Sequence, residues 1–373
     1  LFVGARFADS VFPDSGAVYV FEHDGTAWNE VQKVEPSDPA LETSFGVTIA
    51  ATETSLIVGA PFTTATEWNE GAVYTYRNVG GTWVFEAKLI SPDPSFDGSF
   101  GTAVDLVKLS AVTGEESVAI GAPGENGEYL GRVYVYRRFG GVWILDGVLQ
   151  GSDSAISDQM GSVLAASGDV VVASSLVHST QLPTTGAVYV FRRSDNGWAQ
   201  EQKLNLTDPH PGDTFGRGLA LEGAHLVVGA PHAPMTAGPG QVAHFHDGAA
   251  WVESHRWIAD PILGGTTVLD STWLGYSVAL AGDQVLSGAA RAFTTVTGSG
   301  LVYAFDLSAH ALEVTPKVAT TGEPVTLTWG GGSPGGLAAL VLRKANGFPV
   351  NMLLHVGTFG GAGLASFATA VPP

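Results

Sequence analysis

Gly16-Ala17-Val18-Tyr19-Val20-Phe21 decides the reading of this chain, because it comes back. The pattern stands again as GAVYTY from Gly71, GRVYVY from Gly131 and GAVYVF from Gly186, and more weakly as GQVAHF from Gly240 and GLVYAF from Gly300. Working outward, a second pattern precedes it: Val-Gly-Ala at Val3, Val-Gly-Ala-Pro at Val58 and Val228, Ile-Gly-Ala-Pro at Ile120, Ser-Gly-Ala-Ala at Ser287, and a decayed copy at Val172–Ser175. Further upstream lies Phe-Gly, at Phe45-Gly46, Phe100-Gly101 and Phe215-Gly216, varied to Met160-Gly161 and Leu274-Gly275. A tryptophan closes most copies, at Trp28, Trp83, Trp143, Trp198 and Trp251, spaced 55, 60, 55 and 53 residues apart. Four markers in one order and one period mean a repeat, and a repeat of this length means one supersecondary unit stacked many times.

Each copy reads as four strands. In the second they fall at about Val47–Ala51, Leu56–Ala60, Gly71–Arg77 and Trp83–Leu89. The last two are joined by Asp24-Gly25, Gly80-Gly81, Gly140-Gly141, Asn196-Gly197 or Asp247-Gly248, pairs that accept the positive φ of a tight hairpin. Four strands repeated radially make a propeller blade, and closing the ring protects the sheet edges. The expected fold is all-β: a propeller of six visible four-stranded blades, the first without its opening strand and the last without its tryptophan strand. It spans residues 1–312. From about Glu313 the period is lost, and Pro324–Trp329, Ala338–Arg343 and Met352–Val356 alternate as strands between Gly- and Pro-rich turns. Residues 313–373 are read as part of an immunoglobulin-like β-sandwich segment.

Composition agrees. Glycine is 49 of 373 residues, well above ordinary usage, as short strands and tight turns require. Net charge is −19, from 36 acidic and 17 basic residues, which sets the chain against nucleic acid and anionic membranes. Cysteine is absent, so no disulfide, thiol nucleophile or cysteine-ligated metal occurs in this stretch. No apolar run approaches the ~20 residues of a membrane-spanning helix. The chain starts at Leu1, already inside a repeat, and is read as a fragment whose signal peptide and anchor would lie outside it.

The residues resemble FG-GAP repeats, named for the Phe-Gly and Gly-Ala-Pro segments quoted above. This is the repeat of the integrin α-subunit propeller and of many bacterial secreted proteins, and it covers about Leu1 to Leu312. The resemblance implies a propeller, usually seven-bladed in integrin-like members, an extracellular or cell-surface location, and no enzymatic activity. Many such blades carry an Asp-x-Asp-x-Asp-Gly calcium loop between the Phe-Gly and Gly-Ala-Pro strands. Here those connections are Thr52–Ser55, Ser167–Asp169, Glu222–His225 and Ala281–Asp283, and the longer Lys108–Ser117 offers only Glu115 and Glu116. Calcium needs six or more oxygens, so the expectation is the calcium-free bacterial variant, with no metal and no cofactor.

Three groups of residues qualify as candidate sites. Acidic linkers join the blades: Asp38-Pro39, Asp93-Pro94 with Asp97, Asp153 with Asp158, Asp208-Pro209 with Asp213, and Asp260-Pro261 with Asp270. They make either a carboxylate ring for cations or a basic partner, or, on the plainer reading, turns in which Asp bonds the local backbone. His244 and His246 share one face of a strand, near His255. Zinc wants three or four ligands, and ordinary replacement of aromatic residues is the plainer account. The loops between Gly-Ala-Pro and the tyrosine strand vary most and carry Phe62, Trp68, Tyr129, Met235 and Phe293, the best location for a ligand surface.

No Gly-x-Ser-x-Gly elbow, His-Glu-x-x-His or phosphate loop occurs. Gly330–Gly332 and Gly360–Gly363 lack a strand-to-helix setting for nucleotides. Asn205-Leu206-Thr207 is a glycosylation sequon, meaningful only in a eukaryotic secretory host. The expected function is a non-enzymatic, monomeric binding, adhesion or scaffold module facing an extracellular protein or glycan. A glycan-active propeller enzyme and a purely structural repeat of a larger surface protein are the alternatives.

Overall fold

The computed structural model describes residues 1–9, 12–107, 116–125, 129–179, 182–231, 240–258, 273–290 and 301–307, together with a few short strands between and beyond them. The chain forms two compact units, Leu1–Thr207 and Asp208–Pro373.

The first unit holds four antiparallel sheets in chain order. The first is β1 (Phe2–Ala5), β2 (Ala17–His23) and β3 (Trp28–Val34). The second is β4 (Thr48–Ala51), β5 (Ser55–Ala60), β6 (Ala72–Val79) and β7 (Thr82–Leu89). The third is β8 (Ala103–Val107), β9 (Glu116–Ala122), β10 (Arg132–Phe139) and β11 (Val142–Leu149), and the fourth is β12 (Met160–Ser167), β13 (Val170–Ser175), β14 (Ala187–Ser194) and β15 (Gly197–Leu204). The second unit repeats the pattern in β16 (Gly218–Glu222), β17 (His225–Ala230), β18 (Gln241–His246) and β19 (Val252–Ile258). A two-stranded pair follows, β20 (Ile262–Leu263) and β21 (Thr266–Thr267), and then a three-stranded sheet of β22 (Leu274–Ala281), β23 (Gln284–Ala289) and β24 (Leu301–Asp306). These are six blades of an all-β propeller, three-stranded at the two ends of the series as the spacing of the markers predicts. Beyond them, β25 (Val325–Thr328) pairs with β28 (Leu364–Phe367), and β26 (Val341–Leu342) with β27 (Met352–Leu353). The rest of the expected sandwich segment lies outside the described residues.

The repeat letters acquire a physical meaning at the seams between sheets. Gly59 of β5 lies so close to the next sheet that a Cβ there would stand 2.1 Å from the Gly101 carbonyl oxygen. Gly4 meets Gly46 in the same way at 2.0 Å, Gly121 meets Gly161 at 2.0 Å, and Gly229 meets Gly275 at 1.9 Å. The glycines of Val-Gly-Ala and Phe-Gly are therefore two halves of one backbone contact that no side chain fits. The glycine before each tyrosine strand makes the adjoining contact, as parallel bridges Gly16 to Phe45, Gly71 to Phe100 and Gly131 to Met160.

Between the seams the interior is a series of apolar layers rather than one core. Ile57, Val73 and Leu89 of the second sheet pack on Phe100, Val104, Ile120 and Tyr134 of the third. Val133, Val135 and Leu149 of the third pack on Met160, Leu164, Val171 and Tyr189 of the fourth. In the second unit Val227, Val242 and Trp257 pack on Leu274, Val285, Tyr303 and Phe305. The Phe of Phe-Gly lies under the tyrosines of its own sheet: Phe45 is 5.4 Å from Tyr74 and Phe100 is 5.6 Å from Tyr134, edge-on or tilted as aromatic pairs prefer.

Candidate functional site

The connections that enter each sheet and the loops ahead of the tyrosine strands meet on one side of the first unit. Backbone bonds join them: Glu42 N donates to Pro13 O at 3.2 Å, Asp97 N to Trp68 O at 2.8 Å, and Gln159 N to Tyr129 O at 2.9 Å. Three successive linkers then present one large apolar side chain at the same repeat position. Leu41 is 60% exposed, Phe96 60% and Ile156 65%. Each precedes a residue at positive φ, Glu42 at 56°, Asp97 at 54° and Ser157 at 69°, so the tips are tightly turned. Trp68 is 59% exposed, and Phe62 and Tyr129 are also exposed. Phe12, in the loop between β1 and β2, is exposed as well. Met235 and Phe293 lie outside the described residues. The linker positions escape a reading of loops alone, because Leu, Phe and Ile share no letter and sit among acids; only alignment of the linkers brings them into register.

Carboxylates hold this rim in place. Asp97 accepts from Asn69 Nδ2 at 3.0 Å and from the Tyr129 hydroxyl at 3.3 Å, tying loops of two sheets. Glu70, which is buried, accepts from Thr66 N, Thr66 Oγ1 and Glu67 N. Burial works against its charge, yet the bonds from Thr66 and Glu67 prevail and keep its carboxyl below the usual range.

The leading aspartates of three linkers, Asp38, Asp93 and Asp153, bond beyond their own turns, which corrects the plainer reading for these three. Asp38 accepts from the Tyr74 hydroxyl at 2.7 Å and from Lys88 Nζ at 2.7 Å, and Lys88 lies over the Tyr74 ring. Asp153 repeats this with Tyr189 at 2.8 Å and Lys203 at 2.6 Å. Burial opposes the charge of both carboxylates, and their lysine and tyrosine partners outweigh it and depress both pKa values. Each aspartate thus clamps the incoming linker to two strands of the sheet it enters. In the third sheet the residue opposite Tyr134 is Val148, so no lysine is present, and Arg132 reaches Asp93 instead at 2.7 Å. Asp158 and Asp213 make the expected local turn bonds, to Ala155 N and His210 N. Asp38, Asp93 and Asp153 are thus each paired to a cation.

A second fastening closes the outer wedge. Glu86 of β7 accepts from Arg138 Nε at 2.8 Å and Trp143 Nε1 at 3.1 Å of the next sheet. Asp146 of β11 does the same for Arg193 and Trp198, both at 3.0 Å. Between the first and second sheets the device is uncharged: Gln32 exchanges two 2.8 Å bonds with the backbone of Trp83.

His244 and His246 share one face of β18, as period two requires, and the structure adds His225 from β17 and His255 from β19 to the same group. His225 was missed because its place follows only from the β17–β18 register. Among the described residues no group of three or more His, Asp or Glu is arranged to hold a metal ion.

Residues 28–76 and 198–242 match the family model described as FG-GAP repeat. These stretches contain Gly46, Gly59 and Gly229 of the glycine seam, and the chain carries FG-GAP repeats in an all-β propeller. It is similar to integrin alpha-7 of Mus musculus and of Rattus norvegicus, 34% identical over 131 residues in each case. The match takes in 32% of this chain and 10% or 11% of the relative, so the chain spans about a tenth of the curated relatives it matches. Among solved structures, Sqt1 of Chaetomium thermophilum aligns over 82% of this chain and 66% of its own, at 13% identity and a TM-score of 0.46.

Proposed function

We propose that the chain is a non-enzymatic binding module of an extracellular or cell-surface protein, and that it engages a protein or glycan through the loop and linker rim of Leu1–Thr207. The observation that carries this reading is the row Leu41, Phe96 and Ile156, continued by Trp68 and Phe62. Folding leaves these large apolar groups in water on short, turned tips fixed to a rigid scaffold. Single exposed apolar residues are ordinary, but a row repeated at one position of successive units marks an interaction surface. The acids around it favour a partner with complementary cationic or hydroxyl-rich groups. The FG-GAP repeats and the similarity to integrin α-subunits support a surface location.

The test is binding of the full chain to a printed glycan array and to an array of extracellular proteins, with Trp68→Ala and Phe96→Ala variants alongside. The reading expects hits that weaken tenfold or more in the variants while melting temperatures stay within a few degrees. Hits that ignore both substitutions would place the binding surface elsewhere, and no hits on either array would favour a purely structural repeat.

A further inference from the structure

The fifth sheet departs from its siblings at the outer wedge. In the second and third sheets a carboxylate on the last strand, Glu86 or Asp146, takes the tryptophan and arginine of the next sheet. The corresponding residue of β19 is Ser254, by the shared register in which Thr75 faces Ala87 and His244 faces His255. At the position of Thr75, Val135 and Val190 stands His244.

Four imidazoles occupy this face. His225 opposes His246 and His244 opposes His255 across the ladder. The His225 and His244 rings stack at 5.2 Å, with His246 edge-on to His225 at 5.1 Å and His255 at 5.9 Å from His244. Hydrogen bonds link the group: His244 Nδ1 lies 2.6 Å from Ser254 Oγ, which also lies 3.3 Å from His244 O and 3.2 Å from His255 Nδ1, and His244 Nε2 lies 3.0 Å from His225 Nδ1. The group runs from buried His244 to exposed His246.

We propose that this four-histidine face is an acid-triggered release built into the sheet: a neutral His244, packed between His225 and His255, holds β17, β18 and β19 together near neutral pH, and its protonation as pH falls drives the outer end of the sheet open.

Every influence on His244 works against its charge. Burial of His244 is the largest influence on it, followed by His225, His255 and His246, and together they push its pKa down to about 4. On β19, Glu253 and Arg256 pair with each other at 2.6 and 2.8 Å and belong to the opposite face, where Phe245 and Ala243 are their ladder partners. On the β16–β17 turn, Glu222 is taken by Gly282 N of the neighbouring sheet. Asp247 follows β18, and Asp283 and Asp306 lie at the ends of β23 and β24. The sign follows. An imidazole near 6.5 when unfolded and lower when folded makes the unfolded state bind more protons, so stability is full above about pH 6.5 and falls as pH drops toward about 4. Over that window the folding equilibrium shifts on the order of 10²-fold for His244 alone.

Melting temperature and amide hydrogen exchange of the full chain, followed from pH 7.5 to 5.0, test this. The wild type should lose several degrees across the range, and exchange in β17–β19, corrected for intrinsic rates, should rise about tenfold or more. His244→Val, which borrows the residue of the third and fourth sheets, should flatten both responses. His244→Thr, borrowing from the second, carries the same expectation should valine pack badly. His246→Arg sets a permanent charge beside His225 and should lower melting already at pH 7.5. Parallel pH profiles for wild type and both His244 variants would overturn the proposal. So would a zinc-dependent rise in melting at pH 7.5 that His244→Val abolishes, since the face would then be a metal site.

Discussion

The glycine seam and the apolar rim are built from the same repeat and obey opposite rules. At the seam, Gly59 and Gly101 touch backbone to backbone, and no atom can be added. At the rim, Leu41, Phe96 and Ile156 occupy one position with three different side chains, all in water. The letters that recur are those that let sheets approach one another, and they carry geometry. Recognition is free to reside in the letters that change, because nothing in the scaffold depends on them.

This contrast can be broken at four points of decreasing effect. Gly59→Ala puts a Cβ 2.1 Å from a carbonyl oxygen and should cost about 4 kcal/mol or more in urea unfolding, or prevent folding. Gly80→Ala, at φ 61° with nothing within 4 Å, should cost only about 1 kcal/mol, so equal losses would remove the special standing of the seam. At the wedge, Glu86→Ala strands the Arg138 and Trp143 donors and should cost about 2 kcal/mol. At the clamp, Arg132→Ala should cost about 1 kcal/mol, and adding Val148→Lys should recover most of it by restoring the geometry of Lys88 and Lys203. A double-mutant cycle without coupling would show that Arg132 does not stand in for the missing lysine. At the rim, Leu41→Ser, Phe96→Ser and Ile156→Ser should each change stability by no more than ~0.5 kcal/mol.

The seam was the most legible part of the molecule, because glycine at a fixed spacing has few other meanings. Strand ends follow from the same markers: Gly71–Arg77 is expected and Ala72–Val79 found. The clamp was half legible. Asp38-Pro39 announces a turn, but the partners of Asp38 stand 36 and 50 residues away, on strands whose register no local pattern states. The replacement of lysine by Val148 and Arg132 is invisible until the third sheet is paired. At the rim, aromatic letters drew attention to Trp68 and Tyr129, yet Tyr129 is partly tied down by Asp97, while Leu41 and Ile156 passed unnoticed. The histidine face had three of its four members in view, His244, His246 and His255, and His225 needed the ladder of β17 on β18.

The central claim is that the rim recognises and the seam only builds. Its most direct measurement is the binding profile of the full chain on glycan and extracellular-protein arrays, compared with the Leu41→Ser/Phe96→Ser/Ile156→Ser triple variant. The account predicts that the variant melts within a few degrees of the wild type and loses tenfold or more in affinity for the partners the wild type selects. An unchanged profile in a normally folded triple variant would contradict it.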